Sequence, residues 1–410
     1  MPICSRNAPK GLSIANRSVD WPVGQSYTVR NVDLTLTDSE AGFRDEVRSW
    51  LEENHPGPSP EGDDQAEFEF RRAWQKKMHE AGWAGLSWPE EYGGKGATLI
   101  EQSIFNEELA RQRVPLPANV LGLVMGGPVV IAHGNEDQKE RFLDPILSGE
   151  EIWCQGFSEP ESGSDLASLK TRAVKTNGSW KVTGQKVWTT YAHEAKYCML
   201  LARTDQDAPK HKGITYFILD MDQPNVDVRP LRQITGEAEF NEIFLEEAEI
   251  PDENVIGEVG GGWGVAITTL MFERAGLGAA AVMGLKRTME DLLAVIRERG
   301  LDEDPVIRQR IAELQIGIEA MRLGALRALT ATMKTGIPGP EGSLSKWQWA
   351  DYNQALTELG NEVLGPEGMR VNTEWSYRFL RSRANSIEGG TTEVLKNIIA
   401  ERVLGLPRLR

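Results

Sequence analysis

Asn177-Gly178-Ser179-Trp180-Lys181-Val182-Thr183-Gly184-Gln185-Lys186-Val187-Trp188-Thr189-Thr190 reads as β structure in a chain that otherwise reads as helix. Trp180, Val182, Val187 and Trp188 lie in short β-prone runs, and Asn177-Gly178 and Gly184 supply turn signals. Ile214 to Leu219 and Ile243 to Leu245 are further strand candidates. Residues 151–255 therefore read as a small all-β domain. Before it, Phe43, Val47, Trp50 and Leu51 fall at helical spacing behind a possible cap at Thr37 or Ser39. Phe68 to Ala81, Leu99 to Arg111 and Asp137 to Leu147 repeat that pattern, which makes residues 32–150 a helical domain. After the glycine-rich run from Gly257 to Gly264, helices are expected over 263–299, 305–334, 344–364 and 391–403. Four amphipathic helices in succession suggest an antiparallel bundle over 256–410. The expected fold is a multidomain α+β chain: an N-terminal all-α domain, a central small β-barrel and a C-terminal four-helix bundle. Residues 1–31, mixed in Ser, Asn, Gly and Pro without periodicity, read as a loose tail, with a start near Val32 as the alternative.

Composition narrows the function classes. With 410 residues the chain has room for two or three domains. A formal charge of −16 argues against nucleic acid as a partner, since phosphate binding needs a concentrated basic surface. Cys4, Cys154 and Cys198, with five scattered histidines, give neither a disulfide framework nor a metal-ligand pattern. No stretch has the length of a membrane span, and the expectation is a cytoplasmic protein without membrane insertion.

Two units carry candidate chemistry. In Phe157-Ser158-Glu159-Pro160-Glu161-Ser162-Gly163-Ser164-Asp165, Pro and Gly force a tight loop. Ser158 and Ser164 offer short hydroxyls to a ligand. The plain alternative is a polar turn after a strand. In the quoted stretch, Trp188 offers a face to a planar heterocycle and Thr190 a donor for its polar edge. Here the alternative is a core tryptophan.

Together these units resemble the acyl-CoA dehydrogenase family, which carries a T/S-E-P-x-x-G-S-D loop and a G-Q-K-x-W-x-T strand at this separation. Its third signature matches Glu388-Gly389-Gly390-Thr391-Thr392-Glu393 with Asn397-Ile398-Ile399-Ala400-Glu401-Arg402. The resemblance runs from about Asp33 to Arg408 and implies FAD as cofactor. It implies that Phe157, Ser158, Trp188 and Thr190 hold the flavin ring, with Gly163 and Ser164 near flavin and CoA phosphates. Thr391 and Glu393 open the last helix toward FAD phosphate or ribose oxygens.

The reaction that the resemblance implies needs a carboxylate to take an α-proton while a hydride leaves the β-carbon. Many relatives place that Glu where this chain has Gly389. Others carry it on the first bundle helix, where Leu270-Met271-Phe272-Glu273-Arg274 puts Glu273 in position. Leu270, Glu273 and Leu277 share one helical face, so Glu273 has apolar neighbours. A Glu–Arg pair on a helix surface is the alternative. Glu388 is the runner-up base, Gly389 keeps a backbone N–H for the thioester oxygen, and Arg274 has a supporting role toward CoA.

Two family features are altered. Arg297 to Pro305 lacks the usual Arg-x-x-Phe-Gly, and Glu362 to Gly368 replaces Gln-x-x-Gly-Gly. These changes look similar to branches that process bulky thioesters such as sterol side chains, some as heterotetramers. The implied partners are an acyl-CoA, an electron-transfer flavoprotein and either three copies of this chain or a paralogue. An oxidase of the same fold and a non-catalytic partner subunit are the alternative functions.

Overall fold

The computed structural model describes residues 36–408 apart from 61, 276, 336–338 and 372; the expected 1–31 tail lies outside the described residues. The chain opens with α1 (Asp38–Asn54), capped by Thr37, whose side chain accepts from Glu40 N while the Glu40 carboxylate accepts from Thr37 N. That reciprocal pair satisfies two amides the first turn cannot. Asp63 caps α2 (Asp64–Glu80) and Thr98 caps α3 (Leu99–Arg111). The α2 cap explains why that helix starts before the apolar run that signals it.

A π-helical turn, Gly122–Gly126, and α4 (Gly127–His133) occupy a stretch whose glycines hid a helix from sequence reasoning. Packing compensates for the poor propensity. A Cβ at Gly127 would stand 1.9 Å from Trp88 Cζ2, and one at Gly126 3.0 Å from Trp153. Gly127→Ala is therefore expected to cost about 1–3 kcal/mol and lower the thermal midpoint, since the buried Trp88 ring cannot retreat. Gly284, where a Cβ would meet nothing within 4 Å, should tolerate Ala; differential scanning of both variants checks this. The helical unit ends in α5 (Glu136–Ser148), where Gln138 donates to the carbonyls of Glu253 (2.6 Å) and Val255 (2.8 Å) and so ties helix to sheet.

Eight strands follow: β1 (Trp153–Gly156), β2 (Arg172–Lys175), β3 (Ser179–Thr190), β4 (Tyr197–Arg203), β5 (Ile214–Asp220), β6 (Val226–Leu231), β7 (Phe240–Pro251) and β8 (Val255–Ile256). They form one sheet in the order β6-β7-β3-β2-β4-β5-β8, with β1 parallel to β4. All of β4 is buried, and period-2 alternation divides it. Tyr197, Met199 and Leu201 face the core shared with the N-terminal helices, while Cys198, Leu200 and Ala202 face a second core. That second core also holds Trp180, Val182, Ile243 and Ile250 from β3 and β7. Trp180 meets Phe217 of β5 edge-on at 5.6 Å although two strands separate them in the sheet, so the sheet curls around its own interior.

The C-terminal helices are α6 (Gly262–Ala275), α7 (Leu277–Glu298), α8 (Pro305–Thr335) and α9 (Glu341–Leu364). Val282, Leu285, Met289, Leu292 and Ile296 recur at helical spacing along α7 and meet Ile318, Met321, Leu356 and Leu359. The helix expected over 263–299 corresponds to two elements, α6 and α7, and two further details differ from expectation. The last helix is short, α11 (Thr392–Ile398), running into a π-helical turn Ile399–Val403. An unpredicted α10 (Glu374–Ser382) packs Trp375 on α9, where a Cβ at Gly360 would stand 2.1 Å from the ring. Among the described residues no helix is long and apolar enough to cross a membrane.

Candidate active site

One wall of the site is the 157–165 loop laid against β3. Lys186 has no exposed surface, and its Nζ donates to Phe157 O (3.1 Å) and Glu159 Oε1 (2.8 Å). The Glu159 carboxylate also accepts from the amides of Lys170 (2.6 Å) and Thr171 (2.9 Å). Burial pushes the Glu159 carboxyl up, but Lys186 and these donors outweigh it and hold it below the usual carboxylate range. Burial lowers the Lys186 ammonium, with Glu159 opposing. Val187 N donates to Ser158 O at 3.0 Å, which completes the docking of the loop.

This anchoring leaves a distinct surface. Trp188 is 60% exposed and holds φ at +61°, beside a register shift between Lys186 and Thr189. An exposed indole in left-handed backbone geometry is strain held by its surroundings, and it rules out the core-tryptophan alternative. Ser158 and Thr190 are half-buried; Gly163 and Ser164 are exposed, and a Cβ at Gly163 would meet nothing. Thr189 Oγ1 is buried without a hydrogen-bond partner. The Phe157 side chain instead lies in the core, edge-on to Tyr216 at 5.9 Å. Tyr216 OH in turn accepts from Thr269 of α6 at 3.3 Å, one turn before Glu273.

A second group of candidate residues lies on α6 and the 385–391 loop. Glu273 is half-buried, and a Cβ placed on Gly389 would stand 3.4 Å from Glu273 Oε1 and 3.5 Å from Lys346 Cε. Gly389 and Gly390 hold φ at +62° and +99°, which only glycine adopts without strain. Lys346 of α9 is 1% exposed and donates to the carbonyls of Asn385 (2.6 Å) and Gly390 (2.9 Å), gripping the loop on both sides of Gly389. Burial lowers its ammonium, opposed by Glu388 and Glu273.

Glu388 is engaged elsewhere. Both its oxygens accept from Arg381 (3.2 and 3.0 Å), and Asn385 donates to Oε1 at 2.6 Å. Arg381 also lies 3.9 Å from Glu239, whose carbonyl accepts from Tyr191 N at 2.7 Å. Arg381 thus spans from the 385–391 loop to the end of β3. Thr391 caps α11 by accepting from Val394 N, Glu393 is exposed, and Thr392 Oγ1 is buried without a partner. The Arg274 side chain lies outside the described residues. Sequence reasoning passed over Lys186, Lys346 and Arg381. Lys186 and Lys346 act on partners remote in sequence, so their roles have no local signal even though Lys186 stands in the G-Q-K-x-W-x-T motif. Arg381 pairs with Glu388 seven residues away and reaches Glu239 as well.

Two cavities stand out among the described residues. One of about 560 Å³ opens beside β2 and the 204–213 turn, away from all these residues. Another of about 430 Å³ reaches Asn385 and Glu388.

Three domain models match in order: acyl-CoA dehydrogenase N-terminal domain over residues 37–150, middle domain over 154–248 and C-terminal domain over 260–404. The chain is 41% identical over 380 residues to "Acyl-CoA dehydrogenase IpdE1" of Mycobacterium tuberculosis, covering 89% of this chain and 97% of that protein. It is 43% identical over 335 residues to "Acyl-CoA dehydrogenase FadE34" of the same organism, covering 82% of this chain and 46% of the other. Among solved structures, "Tcur3481-Tcur3483 steroid ACAD" superposes with a TM-score of 0.80 at 29% identity over 92% of this chain and all of that one. The "ChsE4-ChsE5 complex from Mycobacterium tuberculosis" gives 0.78 at 26% identity, with 92% and 100% covered.

Proposed function

Because the chain belongs to the acyl-CoA dehydrogenase family, we propose that it converts an acyl-CoA thioester to the trans-2-enoyl-CoA with FAD, using Glu273 as base. The observation that carries this reading is the placement of the Glu273 carboxylate directly beside Gly389. The chain's residues fit the cofactor. An outward indole at Trp188 suits a planar ring, and two orphaned buried hydroxyls, Thr189 and Thr392, stand at the two motifs that the family uses. When bound, the flavin accepts the hydride from the β-carbon. Glu273 takes the α-proton. The Gly389 N–H donates to the thioester oxygen as negative charge grows there. Lys346 fixes the carbonyls on either side of that amide, so the donor is placed before the substrate arrives. The domain division behind this reading is 32–150, 151–255 and 256–410.

The substrate class we favour is a sterol-derived acyl group, after the name of the steroid dehydrogenase to which the fold is similar. Electrons then pass to an electron-transfer flavoprotein. The two-component names among the structural neighbours favour assembly with a paralogue over a homotetramer. The test is anaerobic addition of short, branched, long and steroid acyl-CoAs to the flavin-loaded protein. Bleaching of the yellow absorbance by at least one is expected; bleaching by none contradicts the reading. Peroxide release in air without an acceptor would mark an oxidase, and a colourless purified chain a partner subunit. Glu388→Gln is expected to slow flavin reduction less than about tenfold, below the usual contribution of a general base, because its carboxylate is committed to Arg381 and Asn385.

A further inference from the structure

The 430 Å³ cavity has a wall with more donors than acceptors. Arg113, Arg287, Arg378 and Arg381 line it against only two carboxylates, Asp291 and Glu388. Both carboxylates are spent. Asp291 accepts from Arg113 (2.8 Å) and Arg378 (2.7 Å), and Glu388 from Arg381 (3.0 Å). Arg287 forms no ion pair among the described residues; its hydrogen bond is a long one, 3.5 Å, to Ala110 O. Nη1 of Arg378 is buried without a hydrogen-bond partner, although Nη2 of the same group pairs with Asp291 and Glu374 and the guanidinium lies 5.0 Å from the Trp375 ring. Burial and the neighbouring Arg113 depress the Arg287 guanidinium, with Asp291 opposing. Buried donors without acceptors are costly, and a site built of them discriminates strongly for a ligand that supplies an acceptor.

The cavity's position says which ligand that is. Its near wall is Asn385 and Glu388, the loop that carries Gly389 to Glu273. Along α9, Asn353 and Thr357 line it, seven and eleven residues beyond Lys346. At 1.5 Å per residue they lie about 10 and 16 Å along the helix from Lys346, which holds the loop of Gly389. The cavity thus begins at the loop that carries Gly389 and extends along α9 away from Lys346.

We propose that this cavity receives the far end of the acyl group and selects one that carries an oxygen acceptor there, a carbonyl or a carboxylate, over a hydrocarbon end. Arg287 is the donor. This rests on the dehydrogenase reading above. The experiment compares kcat/KM for flavin reduction by three acyl-CoAs of equal length, ending in a carboxylate, a ketone or a methyl group. At least a tenfold advantage of both oxygenated substrates over the methyl-ended one is expected. Arg287→Gln should remove most of that advantage and Arg287→Lys should keep part of it, with flavin content reporting the fold. Equal use of all three substrates, or an equal loss on all three in Arg287→Gln, overturns the proposal while leaving the dehydrogenase reading intact. Stimulation of methyl-ended turnover by free succinate would also overturn it, by assigning the cavity to a separate small anion. Failure of all three to bleach a flavin that an acyl-CoA of the panel above does bleach overturns this proposal alone; failure of that whole panel as well overturns both readings.

Discussion

Glu273→Gln is expected to yield a folded, yellow protein whose flavin is reduced by acyl-CoA roughly 10³-fold more slowly than in the parent. The substitution keeps the size of the side chain and removes its capacity to take a proton together with the negative charge that it turns toward Lys346. It leaves Lys346 on the carbonyls of Asn385 and Gly390, so the backbone N–H at position 389 keeps its place. What is lost is the one carboxylate that faces Gly389; the other nearby candidate, Glu388, is turned into a two-pronged pair with Arg381. Stopped-flow reduction of the loaded variant measures this directly. A rate within tenfold of the parent would move the base elsewhere.

Lys186→Met is expected to destabilise the protein by about 3–5 kcal/mol, because it strands a buried carboxylate rather than removing an ion pair cleanly. Glu159 is 8% exposed and would keep its two amide donors but face an apolar chain. Lys186→Met combined with Glu159→Gln should recover much of the loss, since the double change leaves no unpaired charge. The pH dependence should differ too. A carboxyl held below its unfolded value contributes stability that is present above the ordinary carboxylate range and is lost as pH falls through the lowered folded value. In Lys186→Met that acid-side loss should vanish, because protonation then relieves the stranded charge. Melting midpoints across acidic pH check both points. An unchanged midpoint in Lys186→Met would show that the pair does not hold the loop.

The order of helices, sheet and helices was legible because hydrophobic spacing is a local property. Val47 and Leu51 at helical spacing and Trp180 and Val182 in β3 are written in neighbouring residues, whereas β4, buried along its whole length, carries no alternation to mark it as a strand. What depended on packing was not. α4 begins in a glycine run that exists to admit Trp88, and α10 is secured by Trp375 against Gly360. The site divides in the same way. Trp188 and Thr190 could be singled out from a strand and its turns, though not that the indole faces outward. Glu273 and Gly389 are far apart in the chain, and nothing in their spacing implies contact; the pairing came from family resemblance. Lys346 had no such guide, being an ordinary residue of a long helix until its loop folds over it.

Proton abstraction is best measured apart from hydride transfer. In deuterium oxide, with an acyl-CoA whose β-carbon is replaced by sulfur so that no hydride leaves, the flavin-loaded protein should exchange α-hydrogen for deuterium. The account predicts that Glu273→Gln reduces this exchange to background and that Glu388→Gln does not. Exchange that survives in Glu273→Gln and disappears in Glu388→Gln would contradict it.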